Sequence, residues 1–191
     1  MASRKFHTGW ILCKERFNNA YETNRLVEEF ELSNIDIKII DPTKIDIFVN
    51  KENRQSILVN GESLPLPKFV FPRTGSGTTY HIKAVIRHFE RMGGVLVINS
   101  SDAIDNVKDK LYSHQILAES NLDIPKTLLL KHPIDIDFVE KNIGFPAIVK
   151  TISGSYGRGV FLAENKKQFK QLLTMAELTK KSYNIIIHEF I

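Results

Sequence analysis

The stretch that most constrains this chain runs from Gly144 to Glu164: Gly-Phe-Pro-Ala-Ile-Val-Lys-Thr-Ile-Ser-Gly-Ser-Tyr-Gly-Arg-Gly-Val-Phe-Leu-Ala-Glu. Ala147 to Val149 and Val160 to Ala163 are short apolar runs whose spacing predicts two strands. Between them, Gly154, Gly157 and Gly159 permit backbone angles and close approaches that a Cβ forbids. Such a hairpin can fold over a polyphosphate, with backbone N–H groups and hydroxyls as donors and Lys150 as a fixed cation at the strand end. Taken alone, the stretch fits an ordinary hairpin loop beside a lysine equally well. Two common phosphate motifs are excluded by order. A P-loop places its lysine after the glycines and then opens a helix, and a dinucleotide fold also opens a helix there. Here the lysine comes first and a strand follows.

Length and composition bound the alternatives. The 191 residues allow one large domain or two small ones, and they suffice for a real core. A net charge of +4 favours anionic ligands without marking the chain as a nucleic-acid binder. The lysine pairs Lys166-Lys167 and Lys180-Lys181 read as solvated faces. Cys13 is alone, so no internal disulfide forms, which suits a reducing compartment. The N-terminus lacks the apolar core of a signal peptide, and no apolar run reaches the ~18 residues of a membrane span. The expectation is a soluble, cytoplasmic protein. The histidines at 7, 81, 88, 114, 132 and 188 show no ligand spacing, so no metal site is expected from them.

Taken in order, the first hundred residues alternate strand and helix. Gly9 to Cys13 is an apolar strand. Asn18 and Asn19 are candidate caps for a helix from Ala20 to Leu32, with Leu26, Val27 and Phe30 at helical spacing. Ile35 to Asp41 is a strand stopped by Pro42. Ser56 to Gly61 suggests a hairpin, and Lys68 to Phe71 a buried strand. Pro72-Arg73-Thr74-Gly75-Ser76-Gly77-Thr78-Thr79 is then a loop before a helix ending at Gly93-Gly94. Loops at the carboxyl ends of parallel strands bind ligands, so Arg73 is a candidate contact for a carboxylate or phosphate, or else a surface ion-pair partner. Val95 to Ile98 closes this first unit, residues 1–100.

The second unit, residues 101–191, opens with a capped turn from Asn99 and a helix from Asp109 to Ala118. Ile124 to Leu130 is a strand, Ile134 to Lys141 a short helix, and the glycine hairpin follows. Lys166 to Leu178 is amphipathic, with Phe169, Leu172, Leu173 and Ala176 inward. Tyr183 to Ile191 is a strongly apolar strand, which needs neighbours on both faces or becomes an aggregation-prone edge.

The ordered set Asp109-Lys110, Ile124-Pro125, Phe145 to Lys150, Gly154 to Val160 and His188-Glu189-Phe190-Ile191 resembles the ATP-grasp superfamily, specifically the RimK-type ligases. Phe71-Pro-Arg-Thr-Gly75, Arg87 to Gly93 and Ile98-Asn99-Ser100 are similar to that family's N-terminal domain, so the resemblance spans about Trp10 to Ile191. It implies an α/β fold: a parallel-sheet, Rossmann-like pre-ATP-grasp domain, then a central α+β ATP-grasp subdomain, truncated before the C-terminal subdomain. It also implies roles. Lys110 and Lys150 would reach the nucleotide phosphates, Lys150 also lying near the adenine. Ser153, Gly154, Ser155, Tyr156, Gly157, Arg158 and Gly159 would form the flap over the β- and γ-phosphates. Glu189 and Phe190 would be the hinge, their backbone meeting the adenine edge from a strand edge and the Phe190 ring lining the base pocket. Arg73 and Asn99 would lie on the substrate side.

The implied reaction is ATP-dependent ligation of an amino acid, glutamate in this family, to a carboxylate by way of an acyl phosphate. The acceptor is a protein tail, a peptide or a small acid. Magnesium would accompany ATP, its ligands falling after the hinge and outside this chain. Two other expectations stay open: a non-catalytic short form, acting as a binding module or as half of a split enzyme completed by a partner chain, and an ATP-grasp kinase of the inositol-phosphate type.

Overall fold

The computed structural model describes residues 7–51, 57–151, 159–179 and 184–191. They divide into two compact units, Met1–Asp105 and Asn106–Ile191, against the expected division after residue 100.

Trp10, Ile11 and Leu12 are buried, and they form the middle of β1 (His7–Leu12). A strand so apolar must be covered on both faces, which suits the interior of a parallel sheet. After α1 (Tyr21–Leu32) the chain returns as β2 (Ile35–Ile40), parallel to β1. Neither Asn18 nor Asn19 caps α1. The N-cap is Ala20 and it makes no side-chain bond, because Asn18 instead ends a 3₁₀ turn at Glu15–Phe17. Beyond Pro42 the chain forms β3 (Ile45–Ile47), which pairs with β4 (Ile57–Val59), itself paired with β5 (Glu62–Ser63) in a small antiparallel sheet. The expected hairpin therefore has a third strand, hidden in the sequence by its three-residue length.

The strand β6 (Phe69–Pro72) lies on the other side of β1, where Gly9 lets the Phe69 ring pack directly on the backbone. A Cβ at Gly9 would stand 2.2 Å from the Phe69 ring. The helix α2 (Tyr80–Met92) buries Ile82, Val85, Ile86 and Phe89 completely, and the Phe89 ring meets Trp10 edge-on at 5.8 Å. Gly93, at φ 72°, ends it in a conformation that suits glycine. The last strand is shorter than expected: β7 is Leu96–Val97 only, on the sheet edge with Leu96 exposed. The parallel order is β2-β1-β6-β7.

The helices α3 (Ser101–Lys108) and α4 (Lys110–Glu119) follow. In the second unit come β8 (Thr127–Lys131), α5 (Ile136–Asn142), β9 (Ala147–Thr151), β10 (Val160–Ala163), α6 (Lys166–Thr179) and β11 (Asn184–Glu189). The sheet order is β10-β9-β11-β8, all antiparallel. The apolar β11 is thus an interior strand, paired on both sides. Alternation along each strand sends Ala147, Val149, Ala163, Ile185 and Ile187 to one face. There they pack with Val139 of α5 and Phe169 and Leu173 of α6. The opposite face receives Ile148, Lys150, Ile186, His188 and Thr127.

Candidate functional site

That second face concentrates the chemistry of the Asn106–Ile191 unit. Lys150 is the next-to-last residue of β9, opposite Val160 of β10 and Ile186 of β11, and is half-buried. Lys110 is the first residue of α4, placed by a specific cap: the Asp109 carboxylate accepts from the N–H groups of Leu111 at 3.0 Å and Tyr112 at 2.9 Å. This satisfies two of the helix's orphan donors and fixes where the helix starts.

The two ammonium groups influence each other. Burial lowers the pKa of Lys150, and the nearby positive charge of Lys110 lowers it further. Among the described residues neither lysine forms an ion pair with a carboxylate. Two neighbouring cations with no carboxylate paired to them among the described residues make a place for an anion, and half-burial strengthens any such contact relative to bulk water.

Beside them lies a group that the sequence reading passed over. Thr127 on β8 faces His188 on β11, and its hydroxyl lies 2.9 Å from His188 Nδ1 and 3.1 Å from Nδ1 of His114 on α4. The imidazole rings are tilted against each other with centroids 4.7 Å apart. The pKa of His188 falls to about 4, through burial first, then the charges of Lys150, His114 and Lys110. That of His114 falls too, by burial and then Lys150. Both rings are neutral at pH 7. The signal in the sequence was one polar residue, His188, on the alternation that also carries Ile186.

The hinge residues differ from expectation in one respect. Glu189 N–H donates to Lys126 O at 3.0 Å, and the Glu189 carboxylate accepts from Lys126 N–H at 2.8 Å. The strand is not a sheet edge and this N–H is already engaged, because Lys126, just ahead of β8, continues the pairing to the last residue of β11. Phe190 lies just beyond the ladder with its ring half exposed. Of the expected flap, Gly159 lies just before β10 with φ 74°, while Ser153, Gly154, Ser155, Tyr156, Gly157 and Arg158 fall outside the described residues.

In the Met1–Asp105 unit, Arg73 and Asn99 follow the neighbouring parallel strands β6 and β7, both at carboxyl ends and both exposed. The structure brings these two to the carboxyl end of one sheet, on adjacent strands. Arg73 N–H donates to Leu12 O at 2.8 Å, so its backbone is held while its side chain is solvated. The loop after it is braced from within by a Thr74–Thr78 hydroxyl contact at 2.7 Å and by Lys14 Nζ donating to Gly77 O at 2.8 Å. Next to Asn99, Glu90 of α2 accepts from Ser101 N–H at 2.6 Å and Ser101 Oγ at 2.8 Å, which pins the start of α3. Among the described residues no group of three or more His, Cys, Asp or Glu is placed to hold a metal ion. Nor does any helix among them have the length and apolarity to cross a membrane.

Residues 10–104 match the RimK PreATP-grasp domain, and residues 107–191 match the RimK-like ATP-grasp domain. A Shewanella frigidimarina protein named "Probable alpha-L-glutamate ligase 1" is 38% identical over 182 residues, covering 95% of this chain and 59% of its own length. The chain spans less than two thirds of the curated relatives it matches. Among solved structures, a RimK domain ATP-grasp protein from Sphaerobacter thermophilus is similar at a TM-score of 0.70 and 15% identity, over 96% of this chain and 64% of that one. D-alanyl-alanine synthetase A from Vibrio cholerae is similar at 0.68 and 15%, over 99% and 60%. With both halves matched in the family's own order, the chain belongs to the RimK-type ATP-grasp family.

Proposed function

We propose that this chain carries the substrate-side domain and the first half of the nucleotide cleft of an ATP-dependent carboxylate–amine ligase. The observation that carries the reading is that the Lys110 charge at the start of α4 bears on Lys150 of the sheet face, with no carboxylate paired to either lysine among the described residues. Polyphosphate is the anion such a pair suits, and Ile148 and Ile186 on the same face give an apolar surface against which a base can lie. These residues fit ATP. ATP supplies the phosphoryl group that converts the acceptor carboxylate to an acyl phosphate, which the incoming amine attacks with release of phosphate. Lys110 and Lys150 hold and neutralise phosphate charge, and Ser153 to Gly159 close over it. Glu189 and Phe190 border the base, the ring of Phe190 against its face. Arg73 and Asn99, at the carboxyl end of the parallel sheet, hold the acceptor's carboxylate side.

The relatives' names support glutamate as the added amino acid. The acceptor is a protein tail, a peptide or a small acid, and the setting is cytoplasmic. Magnesium would accompany the nucleotide. Among the described residues no group of three or more His, Cys, Asp or Glu is placed to hold it, and no step here runs through it.

The test is ADP binding by calorimetry. Lys150→Ala should weaken affinity at least tenfold, about 1.4 kcal/mol. Lys110→Ala should weaken it in the same direction. Equal affinity in parent and both variants would overturn the reading.

A further inference from the structure

The hydrogen-bond count around Thr127 fixes more than it first shows. A threonine hydroxyl has one hydrogen to donate and two lone pairs to accept with. Its hydrogen goes to Pro125 O at 2.8 Å, since a carbonyl can only accept. Both lone pairs are then left for His114 Nδ1 and His188 Nδ1, so each of these nitrogens must carry the proton. A neutral ring protonated at Nδ1 has a bare lone pair at Nε2. In His188, which is 3% exposed, that Nε2 is buried and has no hydrogen-bond partner among the described residues.

An acceptor sealed from water with nothing donating to it calls for a donor nearby. The register identifies one. His188 lies opposite Ile148 on β9, and Lys150 is two residues along on the same face, the diagonal position that long side chains reach. The Lys150 ammonium has three hydrogens and no ion pair among the described residues. The charged and titratable groups acting on His188 are Lys150 on β9 and His114 and Lys110 on α4, all cationic or neutral. Among the described residues no carboxylate pairs with the ammonium.

We propose that His188 is a positioning residue for Lys150: the two are not bonded in this structure, and a turn of the lysine side chain lets Nε2 accept one ammonium hydrogen, which draws the lysine head onto the sheet face and leaves the other two hydrogens for an anion. Thr127 sets the tautomer that makes this possible, and His114 shares the same hydroxyl. A protonated or reversed His188 would present a donor to a cation and push the lysine away. The proposal rests on the nucleotide reading only for what the outward hydrogens hold. The link between His188 and Lys150 is independent of it.

The experiment is an NMR titration of the Lys150 ammonium in the full chain without nucleotide, in parent, His188→Leu and His188→Gln. Leucine keeps the packing and removes the acceptor, whereas the glutamine amide places an oxygen near the Nε2 position. The expected result is a Lys150 pKa at least ~0.5 lower in the leucine variant and parent-like in the glutamine variant, because an acceptor favours the charged ammonium. ADP affinity should follow the same order, with a loss of about threefold for leucine and recovery for glutamine. If leucine and glutamine behave alike, the proposal is overturned. If the lysine titration behaves as expected while the parent fails to bind ADP, the nucleotide reading falls and the positioning role stands. Should the leucine variant not fold, the ¹⁵N shifts of His188 in the parent decide: Nδ1–H with bare Nε2 supports the proposal, and Nε2–H overturns it.

Discussion

In the parallel sheet, Arg73 and Asn99 leave from strand ends, whereas in the antiparallel sheet Lys150 and His188 stand on a strand face within the ladder. The difference has consequences for chemistry. A strand-end side chain is solvated, and the fold fixes only where its backbone lies. Lys150 is partly desolvated among fixed neighbours, and burial with a second cation lowers its pKa. A strand-end loop can be rebuilt without disturbing the sheet. A face residue inherits the register of three strands at once, so the fold itself sets the charge state.

The largest effects should come from the cores beneath these two arrangements. Phe89, fully buried under the parallel sheet, and Phe169, fully buried under the antiparallel one, should each cost about 3–5 kcal/mol when changed to alanine. Urea unfolding of the two variants measures this. The comparison sharpens if surviving Phe169→Ala protein also loses ADP affinity, since Phe169 packs on the face of β9 opposite Lys150. A parent-like affinity would show that the lysine's placement comes from the ladder and α4 alone.

How much of this was legible in the sequence differs between the two regions for the same reason. The parallel unit announced itself through period: Ile82, Val85, Ile86 and Phe89 repeat every three or four residues, and all four are buried. Arg73 could be placed because a loop after a buried strand has one topological position, whereas Asn99 came from the resemblance to the family's N-terminal domain. β3 was missed since Ile45-Asp46-Ile47 is too short to show alternation, and the asparagine cap failed because a 3₁₀ turn used Asn18 first. In the antiparallel unit, Lys150 stood out beside its glycines. His188 could not. Its meaning depends on Thr127, 61 positions away in sequence, and on His114 in a helix. Register across strands is a nonlocal fact, and so is the knowledge that β11 is interior.

Next in size is a pH effect peculiar to the antiparallel face. His188 titrates at about 4 in the folded chain against 6.5 for the free side chain. Between those values the unfolded chain binds a proton that the folded chain refuses. Stability from this group is therefore complete above pH 6.5 and is lost as pH falls towards 4, a span of about 3 kcal/mol at most. His114, lowered by burial and Lys150, adds in the same direction. Urea midpoints measured from pH 7.5 to 4.5 should fall more steeply in the parent than in His188→Leu, by close to one proton's worth of slope. Identical slopes would mean that the imidazole is solvated like the strand-end groups, and the contrast between the sheets would lose its best example.

The smallest effect concerns how Lys110 reaches the site. It sits on neither a strand end nor a strand face, and its position depends on where α4 begins. Asp109 decides that by accepting from two N–H groups of the first turn. Asp109→Ala should cost about 1 kcal/mol of stability, and Asp109→Asn only a few tenths, because asparagine caps almost as well. Their effects on ADP binding should diverge. Alanine frays the first turn and scatters the Lys110 ammonium, so affinity falls. Asparagine keeps the turn and removes a negative charge close to a bound polyphosphate, so affinity holds or rises slightly. If both variants lose affinity equally, the carboxylate's charge matters more than its geometry. Lys110 would then belong with the solvated strand-end groups, leaving Lys150 as the one cation whose place the ladder dictates.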